Sequence, residues 1–239
     1  MSYGRIGVIG AMDSELAALI AALAQPARET VQGLAFHTGR LGAREVVLVR
    51  CGIGKVSAAR CTQVLIDRFA PAAVINTGIA GGLGAGLAVG DIVVADGLVQ
   101  HDFDAAPIGF VRGCLCMGDP GAPTVFTPDE PLSALLARTA GDAAGAQRVH
   151  RGLIATGDQF ISGAAAKAAL RSAFPSAMAA EMEGGAVAQA ASMSGVPFAV
   201  VRAISDLADG TAAASFEQFE QHAADISAAA VLQALALLD

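Results

Sequence analysis

The sequence predicts one α/β domain, a three-layer α/β/α sandwich whose central sheet is mixed and mostly parallel. Two observations favour this class. Apolar, β-branched runs alternate along the chain with stretches of helical periodicity, which is typical of parallel strands joined by helices. Two early β-rich runs flank a glycine-containing turn and add a hairpin. Because no linker, low-complexity tail or internal repeat divides residues 1–239, we expect a single domain.

The elements of the first half follow from local patterns. Apolar side chains recur at helical spacing after Asp13, the expected N-cap of that helix, and Pro26 ends the helix or follows its end. The elements expected next are hairpin strands at 34–38 and 45–50 with a turn at 39–43, a helix at 56–68, a buried strand at 73–77, a glycine-rich loop at 78–82, and short strands at 91–95 and 98–101. The chain opens before all of these with a β-branched strand at 5–10.

The second half begins with its least regular part. Prolines and glycines crowd residues 103–127, and they predict a long loop that covers a site or meets a partner. The run that starts at Phe198 is apolar and β-branched, so we expect a buried strand that leads into Asp206. The other expected elements are a helix at 129–139, a strand at 149–156, a helix at 164–173, a short apolar segment at 178–182, a helix from about 184, and a helix at 216–238.

Composition and charge exclude several classes of partner. The formal net charge is −7 and no basic cluster exists, so neither nucleic acid nor an anionic membrane is expected to bind. The mean hydropathy is +0.55, and residues 69–90 are uncharged over a length that could span a membrane. Pro71, Asn76 and repeated glycines interrupt that stretch, so a strand followed by a glycine loop explains it better than a membrane helix.

The cysteines and the first residues indicate a reduced, cytoplasmic setting. The four cysteines form no C-x-x-C pair, and Cys114 and Cys116 are too close together for a usual zinc knuckle. The segment Met1–Arg5 leads directly into an apolar run and carries no signal-peptide pattern. We therefore expect no metal and no cofactor.

Two glycine patterns resemble nucleotide-binding motifs only superficially. Gly52-Ile-Gly54-Lys55 lacks the first glycine of a P-loop and is followed by Val56 instead of Ser or Thr. Gly82-Leu-Gly84-Ala-Gly86 has Leu87 where the dinucleotide fingerprint requires glycine. Tight strand-to-helix turns explain both, so neither a nucleoside triphosphate nor NAD is expected.

Three carboxylates carry more information. Glu15, Glu183 and Asp206 each lie just after a predicted buried strand, and the carboxyl ends of parallel strands meet at one edge of a sheet. Each alone could cap a helix or face solvent, but three at equivalent positions indicate a site. Because no Cys/His cluster accompanies them, they favour acid–base chemistry over zinc. The four histidines are scattered, and only His101, next to Asp102, opens the irregular loop.

A set of motifs in order makes the chain resemble a known family. They are Gly7-Val-Ile-Gly-Ala-Met-Asp-Ser-Glu15, Gly52-Ile-Gly-Lys55, Asn76-Thr-Gly-Ile-Ala-Gly-Gly82, Gly90-Asp-Ile-Val93, Gly157-Asp-Gln-Phe-Ile161, Glu181-Met-Glu183 and Val201-Arg-Ala-Ile-Ser-Asp206. Over nearly its whole length the chain closely resembles the 5′-methylthioadenosine/S-adenosylhomocysteine nucleosidases, within the nucleoside phosphorylase superfamily. The resemblance implies hydrolysis of the N-glycosidic bond of an adenine nucleoside, with release of adenine.

The resemblance also implies roles for individual residues. Asp206 would protonate N7 of the leaving adenine, Glu15 would activate the attacking water, and Glu183 would hold the ribose hydroxyls. Met182 would pack on the sugar, while Phe160 would stack on adenine. The remaining residues that the resemblance brings to the substrate are Ile161, through its backbone, Gly81, Ile79, Ile53 near the 5′ group, Phe216, Ser205 and Arg202. In the family, part of the loop after His101 comes from a second subunit and covers the alkylthio end, which implies a homodimer.

Three alternatives stay open at this point. A purine nucleoside phosphorylase would need cationic and hydroxyl ligands for phosphate, and the loop at residues 76–82 offers no basic residue, with Ile79 where a small or hydroxyl residue is common. A hydrolase of an aminofutalosine-type nucleoside has no clean discriminator in the sequence. A nucleoside-binding module without catalysis is disfavoured by the presence of all three carboxylates. The preferred 5′ substituent is left open.

Overall fold

The computed structural model describes residues 4–143 and 148–238, so the first three residues of the segment read for a signal peptide lie outside it. The strands are β1 Ile6–Gly10, β2 Ala24–Val31, β3 Leu34–Leu41, β4 Arg44–Arg50, β5 Ala73–Asn76, β6 Ile79–Gly82, β7 Ile92–Gln100, β8 Val125–Phe126, β9 Val149–Thr156, β10 Ala177–Glu181 and β11 Phe198–Asp206. The helices are α1 Asp13–Ala21, α2 Lys55–Phe69, α3 Glu130–Ala143, α4 Ala164–Ala173, α5 Gly184–Met193 and α6 Ala212–Leu237, with one 3-10 turn at Ala106–Ile108.

All these strands join one mixed sheet in the order β2-β3-β4-β1-β5-β11-β6-β10-β9-β7-β8. Strand β11 is its centre. It pairs in parallel with β5 through residues 198–200 and with β6 through residues 203–206. It also pairs antiparallel with β7, so the strands β11, β6, β10, β9 and β7 close into a ring. The mixed sheet of the expected sandwich is confirmed; its closure on itself was not predicted.

Helices cover both faces of the sheet because its inner strands are apolar on both faces. In β1, Val8 packs on the side of α1, α3 and α6, whereas the next residue, Ile9, packs on the side of α2 and α5. All five residues of β1 and all nine of β11 are buried. Full burial of a Val, Leu or Ile side chain contributes roughly 1.5–3 kcal/mol. The central strands are therefore held firmly, and so are the residues at their ends.

The N-terminus of α1 differs from the prediction in a way that matters for the site. Asp13 was expected to cap this helix, and that is wrong: Met12 is the N-cap and Asp13 is the first helical residue. Glu15 satisfies the terminus instead, because its Oε2 accepts the N–H groups of Ala11 at 2.6 Å and Met12 at 3.0 Å. Asp13 points to Arg50, with Oδ1 3.2 Å from Nε. The backbone N–H groups at the start of α1 are thus satisfied by a carboxylate, that of Glu15, which also faces a cavity.

Other differences have local causes. Strand β2 was missed because it is polar, mostly exposed and contains Pro26, all of which suit an edge strand. The two strands expected at 91–95 and 98–101 are one strand, β7, with a register shift between Ala95 and Gly97. The glycine-rich loop at 78–82 contains the short strand β6, because β10 and β11 supply its backbone partners. Within the described ranges, no helix combines the length and the apolar character needed to cross a membrane.

Candidate active site

A cavity opens at the carboxyl edge of the sheet, where β1, β10 and β11 end. Its lining consists of Ala11, Met12, Glu15, Ile53, Ile79, Ala80, Gly81, Gln159, Phe160, Ile161, Ala180, Glu181, Met182, Glu183, Ser205, Asp206 and Phe216. Eleven of the twelve predicted site residues are in this set; the exception is Arg202. The strand ends therefore do bring the three carboxylates of the sequence analysis together.

Glu15 is held by three backbone N–H groups. Its Oε2 accepts the two at the start of α1, and its Oε1 accepts the N–H of Ile79 at 3.1 Å. Burial raises the pKa of Glu15 above its ordinary value, although the charge of Arg202 and the three N–H groups oppose this. Oε1, which accepts one of these bonds, retains capacity for another partner. A carboxylate so placed can accept a proton from a molecule in the cavity.

Gly78 makes the approach of Glu15 possible. A Cβ atom at this position would lie 2.5 Å from Glu15 Oε1, well inside any real contact distance. The backbone there has φ +158°, at the limit of the range that favours glycine. Glycine at position 78 is thus needed for the Glu15 carboxylate to approach the backbone after β5. The glycine-rich loop is explained without a bound phosphate.

Asp206 ends β11 in a different environment. Its Oδ1 accepts the N–H of Ala208 at 2.8 Å, and its Oδ2 accepts the hydroxyl of Ser205 at 2.9 Å. Burial raises the pKa of Asp206, and the negative charge of Asp209 adds to this, while the two hydrogen bonds oppose it. Because the effect of burial outweighs that of the two hydrogen bonds, Asp206 keeps its proton to higher pH than an exposed carboxyl group does. Asp206 is therefore equipped to act as an acid.

Glu183 reaches the cavity from the turn between β10 and α5. Its Oε1 accepts the N–H of Gly54 at 2.8 Å, which connects it to the loop after β4. Burial raises the pKa of Glu183, and the charge of Glu181 raises it further. Of the two, Glu181 is the better satisfied: its Oε2 accepts the N–H groups of Glu183 at 3.0 Å and Gly184 at 2.6 Å.

The family resemblance places Arg202 on the substrate, but its side chain lies behind the cavity and does not line it. The fully buried guanidinium forms an ion pair with Glu181, with 2.6 Å between Nη2 and Oε2. Its Nη1 donates to the carbonyls of Asn76 at 3.2 Å and Val201 at 3.0 Å. The physical reason is that a buried guanidinium must satisfy its donors, and the nearest acceptors are these groups. Arg202 thus acts on the cavity through Glu181.

The rest of the lining is apolar and more open. The rings of Phe160 and Phe216 meet edge to face, with centroids 5.7 Å apart and planes at 87°. Ile53 is 59% exposed and Phe160 is 48% exposed. Met182 and Ile79 complete this side. Such a surface suits a flat aromatic ring, such as a purine, and an apolar thioether beside it.

A polar network joins the loops around the cavity, and the sequence analysis missed it. Lys55 Nζ lies 2.6 Å from Asp102 Oδ1, and the N–H of Asp158 donates to Asp102 Oδ2 at 2.9 Å. The N–H of Lys55 donates to Asp158 Oδ1 at 2.8 Å. The partners are far apart in sequence, so the only prior signal was the His101-Asp102 pair. His101 itself is buried, its ring nitrogens have no hydrogen-bond partner among the described residues, and burial lowers its pKa.

No group of His, Cys, Asp and Glu side chains in the described part of the chain is arranged to hold a metal ion. The geometry offers instead one carboxylate with free acceptor capacity, one carboxyl suited to hold a proton and a third beside them. That set can perform acid–base chemistry on a flat, polar-edged ligand.

Comparisons with known proteins agree in family and fold. Residues 5–236 match the family described as the Phosphorylase superfamily. A 5′-methylthioadenosine/S-adenosylhomocysteine nucleosidase of Actinobacillus succinogenes is 42% identical, over 98% of this chain and all of the relative. The S. pneumoniae nucleosidase with the transition-state inhibitor MT-ImmA has a TM-score of 0.91 at 41% identity, covering 98% of this chain and 100% of that one. The Colwellia psychrerythraea nucleosidase with adenine has a TM-score of 0.92 at 39% identity, covering 100% and 96%.

Proposed function

Because this chain belongs to the phosphorylase superfamily and, within it, to the 5′-methylthioadenosine/S-adenosylhomocysteine nucleosidases, we propose that it hydrolyses the N-glycosidic bond of these two nucleosides and releases adenine. One observation carries the proposal. Three buried carboxyl groups, each with a raised pKa, face one cavity that is otherwise largely apolar.

Asp206 is assigned the role of general acid. Adenine is a poor leaving group as an anion, so a proton donated to N7 as the C1′–N9 bond breaks makes it leave neutral, with the bonding electron pair. A positioned acid contributes typically about 10²–10⁴-fold. The raised pKa of Asp206 supports this role, because a carboxyl group with an ordinary pKa would have lost its proton at neutral pH.

Glu15 is assigned the role of general base. As the glycosidic bond breaks, the sugar develops positive charge, which nearby carboxylates stabilise. Water then attacks C1′, its oxygen forms the new C–O bond, and its proton passes to Glu15. The three N–H groups that hold Glu15 fix the carboxylate on the side of β6 and support its ionised form.

The remaining roles concern binding. Glu183 accepts hydrogen bonds from the ribose hydroxyls, and Met182 packs on the sugar. Phe160 stacks on adenine, whose edge faces the backbone of Ile161. The 5′-alkylthio group lies against Ile53. These assignments use the lining of the cavity and the resemblance of the motifs.

Hydrolysis is favoured over phosphorolysis by the charges of the cavity. Phosphate recognition uses cationic or hydroxyl donors, and no Lys or Arg is among the residues that line the described cavity. The guanidinium of Arg202 is engaged with Glu181, and the hydroxyl of Ser205 with Asp206. Ile79 adds no hydroxyl to the glycine loop.

The test is adenine release from methylthioadenosine and S-adenosylhomocysteine in phosphate-free buffer. We expect turnover that added phosphate does not increase, with a free 5-thioribose derivative as the second product. Strict dependence on phosphate would indicate a phosphorylase. Turnover only of an aminofutalosine-type nucleoside in the same panel would indicate the related hydrolase, and binding without any release would indicate a binding module.

A homodimer in the cytoplasm accompanies this proposal. Apolar side chains stand exposed on the irregular loop, among them Ile108 at 76% and Met117 at 54%. Exposed apolar side chains on this loop support a protein contact, and a second copy would cover them. All four cysteines are free, which fits a reducing compartment. The molar mass in solution should be twice that of the chain, and Ile108→Asp should lower it; a monomeric parent protein would contradict the dimer.

A further inference from the structure

Lys167 connects the end of the central strand β11 to its neighbour β6, and none of the roles assigned above uses it. It lies on α4, the helix that follows the loop of Phe160, and its side chain is half-buried. Its Nζ donates to the carbonyl of Gly82 at 2.9 Å and to the carbonyl of Leu207 at 2.6 Å. One ammonium group thus joins the residue that ends β6 to the residue that follows β11.

The backbone that Lys167 holds is irregular. The register of the β6–β11 pair shifts between Ile204 and Asp206, and the pairing ends where Asp206 lies beside Gly81. Two residues later, Ala208 is fully buried and has a φ of +50°, in the left-handed region that residues with a side chain rarely adopt. The pairing of the two strands ends before this turn, so contacts outside the sheet must hold it.

The same turn supplies one of the two hydrogen bonds of the general acid. The N–H of Ala208 donates to Asp206 Oδ1, and the carbonyl of Leu207 that accepts from Lys167 belongs to the same peptide group. The C=O and N–H of a trans peptide lie in one plane and point in opposite directions. An ammonium group that fixes the carbonyl therefore also fixes the direction of the N–H that holds the Asp206 carboxyl.

Lys167 also brings a positive charge to the acid. Burial raises the pKa of Asp206, and of the two charged groups that face it, Asp209 raises this pKa further and Lys167 lowers it. Burial lowers the pKa of Lys167 itself, and Arg171 adds to this, while Asp209 and Asp206 oppose it. The other carboxyl groups at the cavity are those of Glu15, Glu181 and Glu183. Loss of the ammonium group should leave Asp206 protonated to higher pH.

We propose that Lys167 is a positioning residue for the general acid: it holds the peptide group between Leu207 and Ala208, and thereby orients the Asp206 carboxyl toward the purine. The proposal rests on the function proposed above, because it assigns a partner to the acid of that reaction. Removal of the ammonium group should have two separable consequences, a slower proton transfer and an acid that titrates at higher pH.

The first test removes the ammonium group with little change in the length of the side chain. Lys167→Met should lower kcat for methylthioadenosine by about tenfold and leave KM within about twofold, since the acid acts only as the glycosidic bond breaks. The alkaline fall of kcat/KM, where Asp206 loses its proton, should move to higher pH by roughly half a unit. Lys167→Arg keeps a charge and donors for both carbonyls, so it should restore most of kcat and the parental pH profile. The matched control is Arg171→Met, which removes an exposed positive charge from the same helix and should change neither property.

A second measurement does not depend on turnover. The carbon NMR signal of the Asp206 carboxyl group, identified by its loss in Asp206→Asn, reports the pKa of this group directly. That pKa should be higher in Lys167→Met than in the parent protein, and it should be close to the parental value in Lys167→Arg and Arg171→Met.

The outcomes separate the two proposals. An unchanged titration of Asp206 in Lys167→Met, or equal losses of kcat in Lys167→Met and Lys167→Arg, would show that Lys167 does not position the acid, and the nucleosidase function would stand. If the parent protein releases no adenine, the proposed function itself fails, while the titration of Asp206 still decides whether Lys167 acts on this carboxyl group.

Discussion

The two sides of the active-site cavity differ in almost every physical respect. The inner wall, which we define as Glu15, Glu181, Glu183, Asp206 and the Arg202 behind them, is at most 7% exposed, and each of its carboxylates accepts at least one backbone N–H. The outer wall, which we define as Ile53, Phe160 and Phe216, consists of apolar side chains, of which Ile53 is 59% exposed.

This difference separates the groups that react with the substrate from the groups that bind it. Charged groups keep a fixed geometry when backbone donors and a rigid sheet hold them. Asp206 ends β11, and Glu15 lies in the first turn of α1, the helix that follows β1. Apolar contacts are non-directional, so the outer wall can be open and completed by the substrate or by a second copy. Changes to the inner wall should therefore alter rate or stability strongly, and changes to the outer wall should alter binding.

The largest effect is expected from Asp206→Asn. The amide can still accept from Ala208 and donate to the Ser205 hydroxyl, but it cannot protonate adenine, so kcat should fall by about 10²–10⁴-fold with KM little changed. Steady-state adenine release measures it. Asp67→Asn is the matched control, because exposed Asp67 accepts from the side chain of Gln63 and lies outside the cavity lining. Near-parental turnover of Asp206→Asn would remove the acid role.

The same variant has a pH signature. Since the pKa of Asp206 is raised above 3.8 in the folded state, the folded state binds more protons, and stability falls as pH rises from 3.8 through the raised pKa. Asn cannot ionise, so Asp206→Asn should lack this fall and be more stable than the parent protein at neutral pH. Urea unfolding at pH 5 and pH 8 compares the two proteins.

The parent protein should also show a pH dependence of activity. Its kcat/KM should fall on the alkaline side as Asp206 loses its proton and on the acid side as Glu15 gains one.

The next effect tests the support of the inner wall. Arg202→Met leaves Glu181 buried beside Glu183 without its counter-charge, and breaking a buried ion pair costs about 3–5 kcal/mol of unfolding free energy. Denaturant unfolding measures it. Arg151→Met is the matched control: the Arg151–Glu130 pair has the same 2.6 Å distance but is exposed, so its loss should have little effect. Equal losses in the two variants would mean that Arg202 does not stabilise the inner wall.

Much of the inner wall was predictable because strand ends are predictable. Strand β9 and helix α4 have the predicted bounds, and burial of β11 followed from its β-branched run. Glu15, Glu183 and Asp206 could be grouped from strand topology alone. The engagement of Arg202 with Glu181 could not be foreseen, because Glu181 is on β10, which β6 separates from β11, and only the folded sheet brings this acceptor to the guanidinium.

The outer wall was predictable only through the family resemblance. Its residues come from loops and a helix start, where periodicity carries no information about which side chains meet. The contacts of Lys55 with Asp102 and Asp158 span 47 and 103 positions of sequence, so local patterns cannot reveal them. Strand β2 was missed for the related reason that an edge strand needs no apolar pattern.

The smallest effect is expected from the outer wall, with Phe160→Ala. The change removes a half-exposed ring and its edge-to-face contact with Phe216, so stacking on the adenine is lost while the acid and the base keep their positions. An aromatic contact of this kind is worth about 0.5–1.5 kcal/mol beyond its buried area, which predicts a rise in KM of roughly tenfold and a kcat within about threefold of the parent. Steady-state kinetics with methylthioadenosine separate the two constants. Val56→Ala, which removes an exposed apolar side chain outside the cavity, should change neither. If kcat instead fell as far as in Asp206→Asn, the outer wall would share in the chemistry, and the division between a reacting wall and a binding wall would be wrong.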